Sequence, residues 1–519
     1  MTNFSKVYCA ELEGIEAKLI EVETDINVGL HSFTIVGLAD KALNEAKERV
    51  NAALKNSNIK SPGRENRKIT VNLAPADIKK AGSQYDLAIA IGYLLASKQI
   101  KSFDSRNKIF IGELSLEGNL RPVSGVLAIS CLAKNLGFEY VFVPKENAAE
   151  AAIISGIKII PVSNLSELIN HLEEQNFILP QKNTELEFIS KHSVDISEIK
   201  GQENAKRALM IAAAGGHNLI MIGSPGAGKT MLAQALVSIL PPLSVNEIIE
   251  VTRIYSSSGV LKGSSFITAR PFRAPHHTAS VVSVVGGGSN PKPGEISLAH
   301  RGILFLDEIP EFRRDLLESL RQPLESGNVC VSRAKGVLNF PARFTLIAAM
   351  NPCPCGYFGD SDKTCRCTAN EVFRYQKKIS GPLLDRIDLQ LEVPRVKVEE
   401  LRKGKPARLN DVSRSGGEEN ITNEVIAKVI NARKIQEERF KGMGIYLNSE
   451  MSSKMTDKVI DLDNESQMFL KNILEKSFIS ARGYYRILKT ARTIADLENS
   501  EKVGQKHLAE AFQYRIREQ

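Results

Sequence analysis

The feature that most constrains this chain is a glycine-rich segment between a short apolar run and a helical pattern. The apolar run, 217–222, is typical of a buried strand, and residues 231–240 are typical of a helix. Backbone N–H groups of such a turn bind a polyphosphate, Lys229 can reach the terminal phosphates, and Thr230 can bind Mg²⁺. The sequence therefore predicts a site for ATP and Mg²⁺. The segment fits the pattern G-x-x-x-x-G-K-[ST] with Gly223, Ser224, Pro225, Gly226, Ala227, Gly228, Lys229 and Thr230.

A second apolar run, 302–306, ends in two acids, Asp307 and Glu308. Beside a bound triphosphate, Asp307 would hold the Mg²⁺ shell and Glu308 would polarise the attacking water as general base. The two acids could instead cap the following helix. Their position after a full apolar strand, downstream of a phosphate loop, favours the catalytic interpretation. The sequence therefore predicts hydrolysis as well as binding.

Composition sets limits on the class of protein. The 519 residues have the length of about three domains, and 43% apolar with 25% charged residues is ordinary for a soluble globular protein. No apolar run is long enough to cross a bilayer, and the first ten residues lack a signal-peptide core. Seven cysteines without a secretion signal argue against a disulfide framework. We therefore expect a cytoplasmic protein without a membrane partner, whose net charge of +8 permits an anionic partner without requiring one.

The sequence pattern predicts three folded parts. Residues 1–172 alternate strand and helix patterns, and residues 173–194 are polar and poorly periodic, which favours a linker. An ATPase core is predicted over 195–397, a mobile surface loop over 398–420 and a helical domain over 421–519. The fold class that follows is α/β with a helical C-terminal part.

Three polar residues downstream of the acidic pair could complete the ATP site. Asn351 ends an apolar strand pattern, where it could orient water and sense the γ-phosphate, although an asparagine there is more often a turn residue. Arg386 could reach the γ-phosphate of a neighbouring subunit as an arginine finger. The alternative for Arg386 is an ion pair with Asp385 or Asp388. Arg482 opens a helix, where a lid could bring it to the nucleotide of its own subunit.

Taken in order, these motifs resemble one family. The phosphate loop and the segments 306–308, 351–356, 381–388 and 480–497 are together similar to the magnesium-chelatase-like AAA+ ATPases, and more narrowly to their ComM/YifB branch. The resemblance covers nearly the whole chain and implies a P-loop AAA+ core with a parallel sheet, a helical lid and a homohexameric ring. It also implies a helicase or branch-migration translocase that acts on single-stranded or branched DNA in natural transformation and homologous recombination.

The N-terminal part carries a second resemblance, to the protease domain of Lon-type enzymes, through the segments 71–77 and 112–123. Peptidase members need a serine nucleophile soon after a Lys-x-Gly turn and a lysine base after the second segment. Gln84 stands where the nucleophile is expected, and residues 124–128 contain no lysine. The resemblance therefore implies a Lon protease-like α/β domain without the catalytic dyad, serving assembly or DNA guidance.

A basic hairpin is the candidate contact to DNA. Residues 328–338 show two strand patterns around Arg333 and Lys335. Six such tips around a pore would form a ring of positive charge that follows phosphates without reading bases. A solvated hairpin is the alternative. The insertion 270–293 resembles a second pore-facing element of the family, and its two adjacent histidines favour a loop over a metal site because they lack carboxylate or thiol neighbours.

Four cysteines form the pattern C-x-C-x9-C-x-C: Cys353, Cys355, Cys365 and Cys367. Four thiolates on a closed loop suit tetrahedral Zn²⁺, with Zn–S bonds of about 2.3 Å. The C-x-C spacing is tighter than the usual C-x2-C, and four free thiols are the alternative. Zinc here would staple a loop and take no part in the chemistry.

A second class of function stays open. A chelatase-type ATPase subunit, which powers metal insertion into a tetrapyrrole, would have the same ATP site. The N-terminal domain and the basic hairpin favour DNA, because chelatase motor subunits resemble only the AAA+ part of this chain. An ATP-dependent protease is disfavoured by the missing dyad.

Overall fold

The computed structural model describes residues 3–37, 41–64, 66–78, 80, 82–184, 194–261, 266–288, 291–333, 336–360, 362–396, 415–476 and 479–515. The chain forms two compact units. The first comprises Met1–Glu187 and Val245–Ile267, and the second comprises Phe188–Ser244 and Thr268–Gln519. No helix in the described ranges combines the length and the apolar character that crossing a bilayer requires.

A mixed seven-stranded sheet forms the framework of the first unit. Its strands are β1 (Phe4–Glu13), β2 (Glu16–Val28), β3 (Ser32–Val36), β4 (Arg67–Ala74), β5 (Lys108–Phe110), β8 (Tyr140–Pro144) and β9 (Lys158–Val162). They lie in the order β3-β4-β2-β1-β5-β8-β9, with antiparallel pairing along β1–β2–β4 and parallel pairing elsewhere. A separate hairpin joins β6 (Glu113–Leu114) and β7 (Leu120–Arg121).

Helices pack on this sheet and close its core. They are α1 (Lys41–Asn56), α2 (Asp86–Ala96), α3 (Val126–Asn135), α4 (Ala148–Ala151), α5 (Leu165–Leu172) and α8 (Val245–Ser258). Residues 86–94 of α2 are buried throughout, as expected for a helix that is apolar on all faces. The mixed α/β character of this unit agrees with the predicted fold class.

Helix α8 belongs to the first unit although its sequence lies inside the predicted ATPase core, 195–397. The Ser256 hydroxyl donates to Glu150 (2.8 Å) and accepts from the N–H of Gly125 (3.0 Å). Arg253 donates to the carbonyl of Ile15 (3.0 Å). The chain therefore leaves the second unit after Ser244 and returns to it at Thr268.

A five-stranded parallel sheet forms the centre of the second unit. Its strands are β10 (Leu219–Ile222), β11 (Phe272–Arg273), β14 (Ile303–Leu306), β17 (Thr345–Met350) and β18 (Leu389–Glu392), in the order β11-β14-β17-β10-β18. All of β14 is buried, which explains why its sequence is continuously apolar. The predicted P-loop core with a parallel sheet is confirmed.

The remaining elements of the core are short. They are β12 (Gly286–Gly287), β13 (Lys292–Pro293), the hairpin strands β15 (Asn328–Arg333) and β16 (Gly336–Pro341), and the helices α6 (Glu203–Gly215), α7 (Lys229–Ser238), α9 (Val281–Val285), α10 (Glu295–Leu298), α11 (Arg314–Ser319), α12 (Arg321–Ser326), α13 (Ala369–Gln376) and α14 (Gly381–Leu384).

The C-terminal part is helical, as predicted: α15 (Ser415–Arg439), α16 (Ser453–Val459), α17 (Asn464–Lys476), α18 (Ala481–Leu497) and α19 (Gln505–Gln513). Helix α15 begins at Ser415, whereas the sequence pattern predicts a loop up to residue 420. The sequence does not predict this first turn, because the turn contains Gly416 and Gly417 and glycine has a low helix propensity. Residues 398–414 of the predicted loop lie outside the described residues.

Candidate nucleotide site and its surroundings

The phosphate loop joins the end of β10 to the start of α7. Gly226 and Gly228 have φ of +81° and +86°, in the left-handed region that favours glycine. A Cβ at Gly223 would collide with the carbonyl of Val393, which follows β18. The glycines of the motif are therefore required by backbone conformation and by close approach.

Lys229 is buried at the base of this loop. Its Nζ donates to the carbonyls of Gly223 (2.6 Å) and Ser224 (3.1 Å) and to Oδ1 of Asn351 (3.2 Å). Burial lowers the pKa of Lys229, and the nearby carboxylates of Asp307 and Glu308 oppose that shift. A buried ammonium with neutral direct partners makes a favourable position for a phosphate oxygen.

The acidic pair reaches the same place from the end of β14. The Thr230 hydroxyl donates to Oδ2 of Asp307 at 2.9 Å, and Oδ1 of Asp307 accepts from the N–H of Glu308 at 3.0 Å. Adjacent parallel strands β10, β17 and β14 deliver Lys229, Asn351 and Asp307 to one edge of the sheet. A hydroxyl and a carboxylate in contact form an oxygen donor set that fits Mg²⁺.

Glu308 follows Asp307 and is half exposed. Its backbone has φ of +50°, a strained conformation for a non-glycine residue, and 55% of its side chain is exposed. The His277 ring nitrogen lies 4.0 Å from the Glu308 carboxylate. Glu308 borders a cleft of about 440 Å³, whose lining is Glu308, Glu311, Asn351, Pro354, Glu371, Arg374, Tyr375 and Lys378. The cleft gives water access to the predicted base.

Tyr375 lines the same cleft as Asn351. Burial is the main cause that raises the pKa of Tyr375 to about 12. The sequence alone does not indicate Tyr375 or the contact between His277 and Glu308. Nothing in spacing indicates them, because α13 and the segment after β11 reach the site only through the tertiary fold.

Arg386 is buried within its own chain. It forms an ion pair with Glu325, donates to the carbonyl of Pro382 (2.5 Å), and has 6% of its side chain exposed. Neither predicted alternative partner is the one observed, since Glu325 lies at the end of α12. Burial lowers the pKa of Arg386, Glu325 opposes this, and the charge of Arg482 lowers it further. Arg482, exposed at the start of α18, therefore acts on Arg386 electrostatically.

A buried polar network joins the lid helix α18 to the sheet. Asp388, ahead of β18, forms an ion pair with Arg486 and lies 3.4 Å from Nδ1 of His217. The other His217 nitrogen lies 2.7 Å from the Thr493 hydroxyl. Burial would raise the pKa of Asp388, yet Arg486 and His217 outweigh it and hold that pKa well below its usual range. The ionised Asp388 thus fixes α18 against the core.

The four cysteines come together after β17. Their sulfur atoms all lie within 4.8 Å of one another, with Cys353–Cys355 at 3.4 Å, Cys353–Cys365 at 3.7 Å and Cys355–Cys365 at 3.6 Å. A tetrahedron with Zn–S bonds of about 2.3 Å has edges of about 3.8 Å. Backbone N–H groups of Arg366 and Tyr357 are the main cause that lowers the pKa of Cys355 to about 6. The thiols fit a zinc ion in spacing and in chemistry.

The predicted hairpin is formed by β15 and β16, and its register places Arg333 opposite Gly336. Lys335, the second predicted DNA contact, lies outside the described residues. In the first unit, Gln84 donates to Glu11 at 2.9 Å, while Ser83 donates to Glu113. Gln84, at the expected nucleophile position, and its neighbour Ser83 are thus both held by carboxylates.

Three protein-family models match the chain. Subunit ChlI of Mg-chelatase matches residues 22–147, magnesium chelatase subunit ChlI matches residues 195–401, and the C-terminal model of magnesium chelatase subunit ChlI matches residues 419–515. Together these matches cover both units.

Relatives match over different lengths. Competence protein ComM of Haemophilus influenzae is 42% identical over 514 residues, which cover 98% of this chain and 97% of that protein. Protein YifB of Escherichia coli is 40% identical over 514 residues, covering 99% and 97%. Magnesium-chelatase subunit ChlI of Euglena gracilis is 25% identical over 182 residues, covering 30% of this chain and 52% of that protein.

Proposed function

Since this chain belongs to the magnesium-chelatase-like AAA+ family, we propose that it is an ATP-hydrolysing DNA motor that works as a homohexameric ring. One observation carries the ATPase part of the proposal: Lys229 contacts Asn351, and Thr230 contacts Asp307, at one edge of the parallel sheet. These four side chains have the charges and donors that a metal-bound triphosphate requires.

Binding uses the phosphate loop. The backbone N–H groups of residues 226–230 surround the phosphates, and Lys229 exchanges its carbonyl partners for phosphate oxygens. Thr230 and Asp307 would hold Mg²⁺, which when bound neutralises charge on the phosphates. The close approach of Gly223 to Val393 fixes the position of the loop.

Hydrolysis uses the residues beside the cleft. Glu308 accepts a proton from the attacking water, and Asn351, which lines the same cleft, orients that water. In the ring, Arg386 of a neighbouring subunit stabilises the charge that develops on the γ-phosphate. Arg386 must first leave Glu325, so hydrolysis depends on assembly.

We propose that the ring moves along DNA. The hairpin of β15 and β16 would place Arg333 and Lys335 toward a central pore, where they follow phosphates of single-stranded or branched DNA. A relative with 42% identity is named a competence protein. We propose that this chain has a cytoplasmic role in natural transformation and recombination, as a helicase or branch-migration translocase. The first unit serves assembly or DNA guidance and has no protease activity.

The four cysteines are proposed to hold one structural Zn²⁺ ion. Support comes from sulfur–sulfur distances of 3.4–3.7 Å, close to the edge of a ZnS₄ tetrahedron. Elemental analysis of reduced protein should give about one zinc per chain. Cys353→Ser with Cys367→Ser should remove it.

A chelatase-type ATPase is the second candidate, favoured by the family descriptions and by the match to the Euglena gracilis subunit. That match covers 30% of this chain, whereas the matches to ComM and YifB cover nearly all of it. The longer matches favour the DNA motor.

The deciding experiment measures the ATPase rate of the full chain. Single-stranded DNA, a branched junction, linear duplex and a porphyrin with its chelatase partners are each added in turn, and Lys229→Ala controls for contaminating ATPases. The DNA motor predicts stimulation by single-stranded or branched DNA. A rate that responds to the porphyrin system and to no DNA would support the chelatase instead.

A further inference from the structure

The cysteine loop, residues 353–367, touches the phosphate loop. Gly356 has φ of +84°, and a Cβ on it would lie 2.6 Å from Cδ of Pro225. Backbone of the cysteine loop therefore lies directly against Pro225, the third residue of the phosphate-binding pattern. Any shift at Gly356, between Cys355 and the rest of the loop, is transmitted to Pro225 through van der Waals contact.

A polar bridge makes the second contact. Asp360 accepts a hydrogen bond from the N–H of Asp362 (2.9 Å), and this bond, followed by the Ser224 hydroxyl, is the main cause that lowers the pKa of Asp360. Arg395 pairs with Asp360 (3.2 Å) and also donates to the Ser224 hydroxyl (3.2 Å) and the carbonyl of Pro225 (3.4 Å). Asp360 and Arg395 thus hold the phosphate loop from outside.

Apart from the cysteines, the described part of the loop is held by turn hydrogen bonds, such as Gly356 N–H to the Cys353 carbonyl (3.0 Å) and Asp360 N–H to the Tyr357 carbonyl (3.2 Å). Its described residues contain neither a helix nor a strand. Lys363 and Arg395 both lie on the ring of Tyr357, at 5.0 and 5.3 Å from its centroid, and these contacts are surface contacts. A metal that closes four ligands over fifteen residues removes most of the conformational freedom of such a loop.

We propose that metal occupancy of the four cysteines sets the affinity of the ATP site, because the metal-closed loop braces the phosphate loop through Gly356 and Asp360. This inference rests on the proposed nucleotide and zinc sites. The brace holds Ser224 and Pro225 in the conformation that presents backbone N–H groups to the phosphates. Without metal, the loop loses its shape, and nucleotide binding must reorder both segments. The expected result is an ATP dissociation constant about tenfold higher without metal.

The experiment measures metal content and the affinity for a fluorescent, non-hydrolysable ATP analogue in Mg²⁺. The full chain carries Cys330→Ser, which removes the exposed thiol outside the cluster. Zinc is stripped with a thiol reagent and a chelator, the thiols are regenerated, Mg²⁺ is restored, and half of the sample is reloaded with Zn²⁺. Affinity should fall about tenfold on stripping and return on reloading.

Variants of Asp360 and of the cysteines distinguish loss of the brace from a general loss of folding. Asp360→Asn should keep its zinc and still bind the analogue about tenfold more weakly. Cys365→Ser with Cys367→Ser should lose zinc and affinity, and adding Asp360→Asn should cause little further loss, since both changes break one brace.

The outcomes are distinguishable. The proposed brace is wrong if zinc-loaded and stripped protein bind the ATP analogue with equal affinity and zinc is fully recovered on reloading. That result leaves the proposed zinc and nucleotide sites unaffected. Freshly prepared protein without metal rejects the zinc site, and zinc-loaded protein that does not bind the analogue rejects the proposed ATP site.

Discussion

Glu325 and Arg386 form an ion pair inside one chain, between the end of α12 and the turn after α14. Arg386 is almost fully buried, whereas 54% of the Glu325 side chain is exposed. Helix α12 leads directly into the hairpin of β15 and β16, the candidate DNA contact. The residue proposed to act on a neighbour's nucleotide is thus held by a carboxylate next to the proposed DNA-binding element.

This arrangement predicts that Glu325 restrains Arg386. Glu325→Gln should raise the basal ATPase rate of assembled rings, by no more than about fivefold, because a partly exposed ion pair contributes at most about 1 kcal/mol. Arg386→Ala should instead lower the rate at unchanged ATP affinity. The measurement is ATPase rate against protein concentration. Glu318→Gln, which breaks the neighbouring pair with Arg321, is the matched control. A rate for Glu325→Gln at or below that of the control would contradict the restraint.

Glu308 is predicted to be the general base. Glu308→Gln should retain ATP affinity, because Lys229 and the phosphate loop are unchanged, while the hydrolysis rate falls by about 10²- to 10⁴-fold. Lys229→Ala should weaken binding itself. Glu311→Gln removes a carboxylate that lines the same cleft and pairs with Lys378, so it controls for charge. Normal turnover by Glu308→Gln would assign the base to another residue.

Strands that are buried in a parallel sheet have continuously apolar sequences. The strand ends of the ATP site could therefore be predicted. Each of β10, β14 and β17 is an apolar run, and its functional residues follow directly. The long hairpin of β1 and β2 is harder to predict, since the outward positions of β2 include Glu21, Glu23 and Asp25, residue types that are depleted in strands. The assignment of helix α8 to the first unit could not be predicted, because its hydrogen-bond partners Gly125 and Glu150 lie more than 100 residues away in the sequence.

Contacts between distant segments could not be predicted. Sequence proximity suggested Asp385 or Asp388 as the partner of Arg386, yet Glu325 is its partner and Asp388 pairs with Arg486. Buried charges pair with whichever opposite charge the fold brings near, and that choice is tertiary. The bridge from Asp360 through Arg395 to Ser224 is of the same kind, because Asp360 lies in a loop without periodicity.

Arg482 is predicted to serve the same subunit boundary as Arg386. The sequence suggests a contact with the nucleotide of its own subunit, and in the structure the charge of Arg482 lowers the pKa of Arg386, which motivates a role at the subunit boundary. Arg482→Ala should therefore lower the ATPase rate, and mixing it with Lys229→Ala should restore activity, since a mixed ring then contains an intact ATP site beside an intact Arg482. If mixed rings are shown to form and no activity is recovered, Arg482 acts on the nucleotide of its own subunit. Arg486→Ala, which breaks the lid contact with Asp388, should lower stability in every mixture.

The hairpin is predicted to carry the contact to DNA. Arg333→Ala with Lys335→Ala should abolish stimulation of the ATPase by DNA and leave the basal rate intact, because neither residue belongs to the ATP site. DNA affinity should weaken by a similar factor for unrelated sequences, and the slope of log affinity against log salt should become shallower as phosphate contacts are lost. Lys434→Ala with Lys441→Ala removes two exposed cations elsewhere and should change none of these quantities. Because the net charge of +8 is spread over 519 residues, other cations should not replace a lost contact in the pore. Unchanged stimulation in the hairpin variant would move the DNA contact to the insertion 270–293.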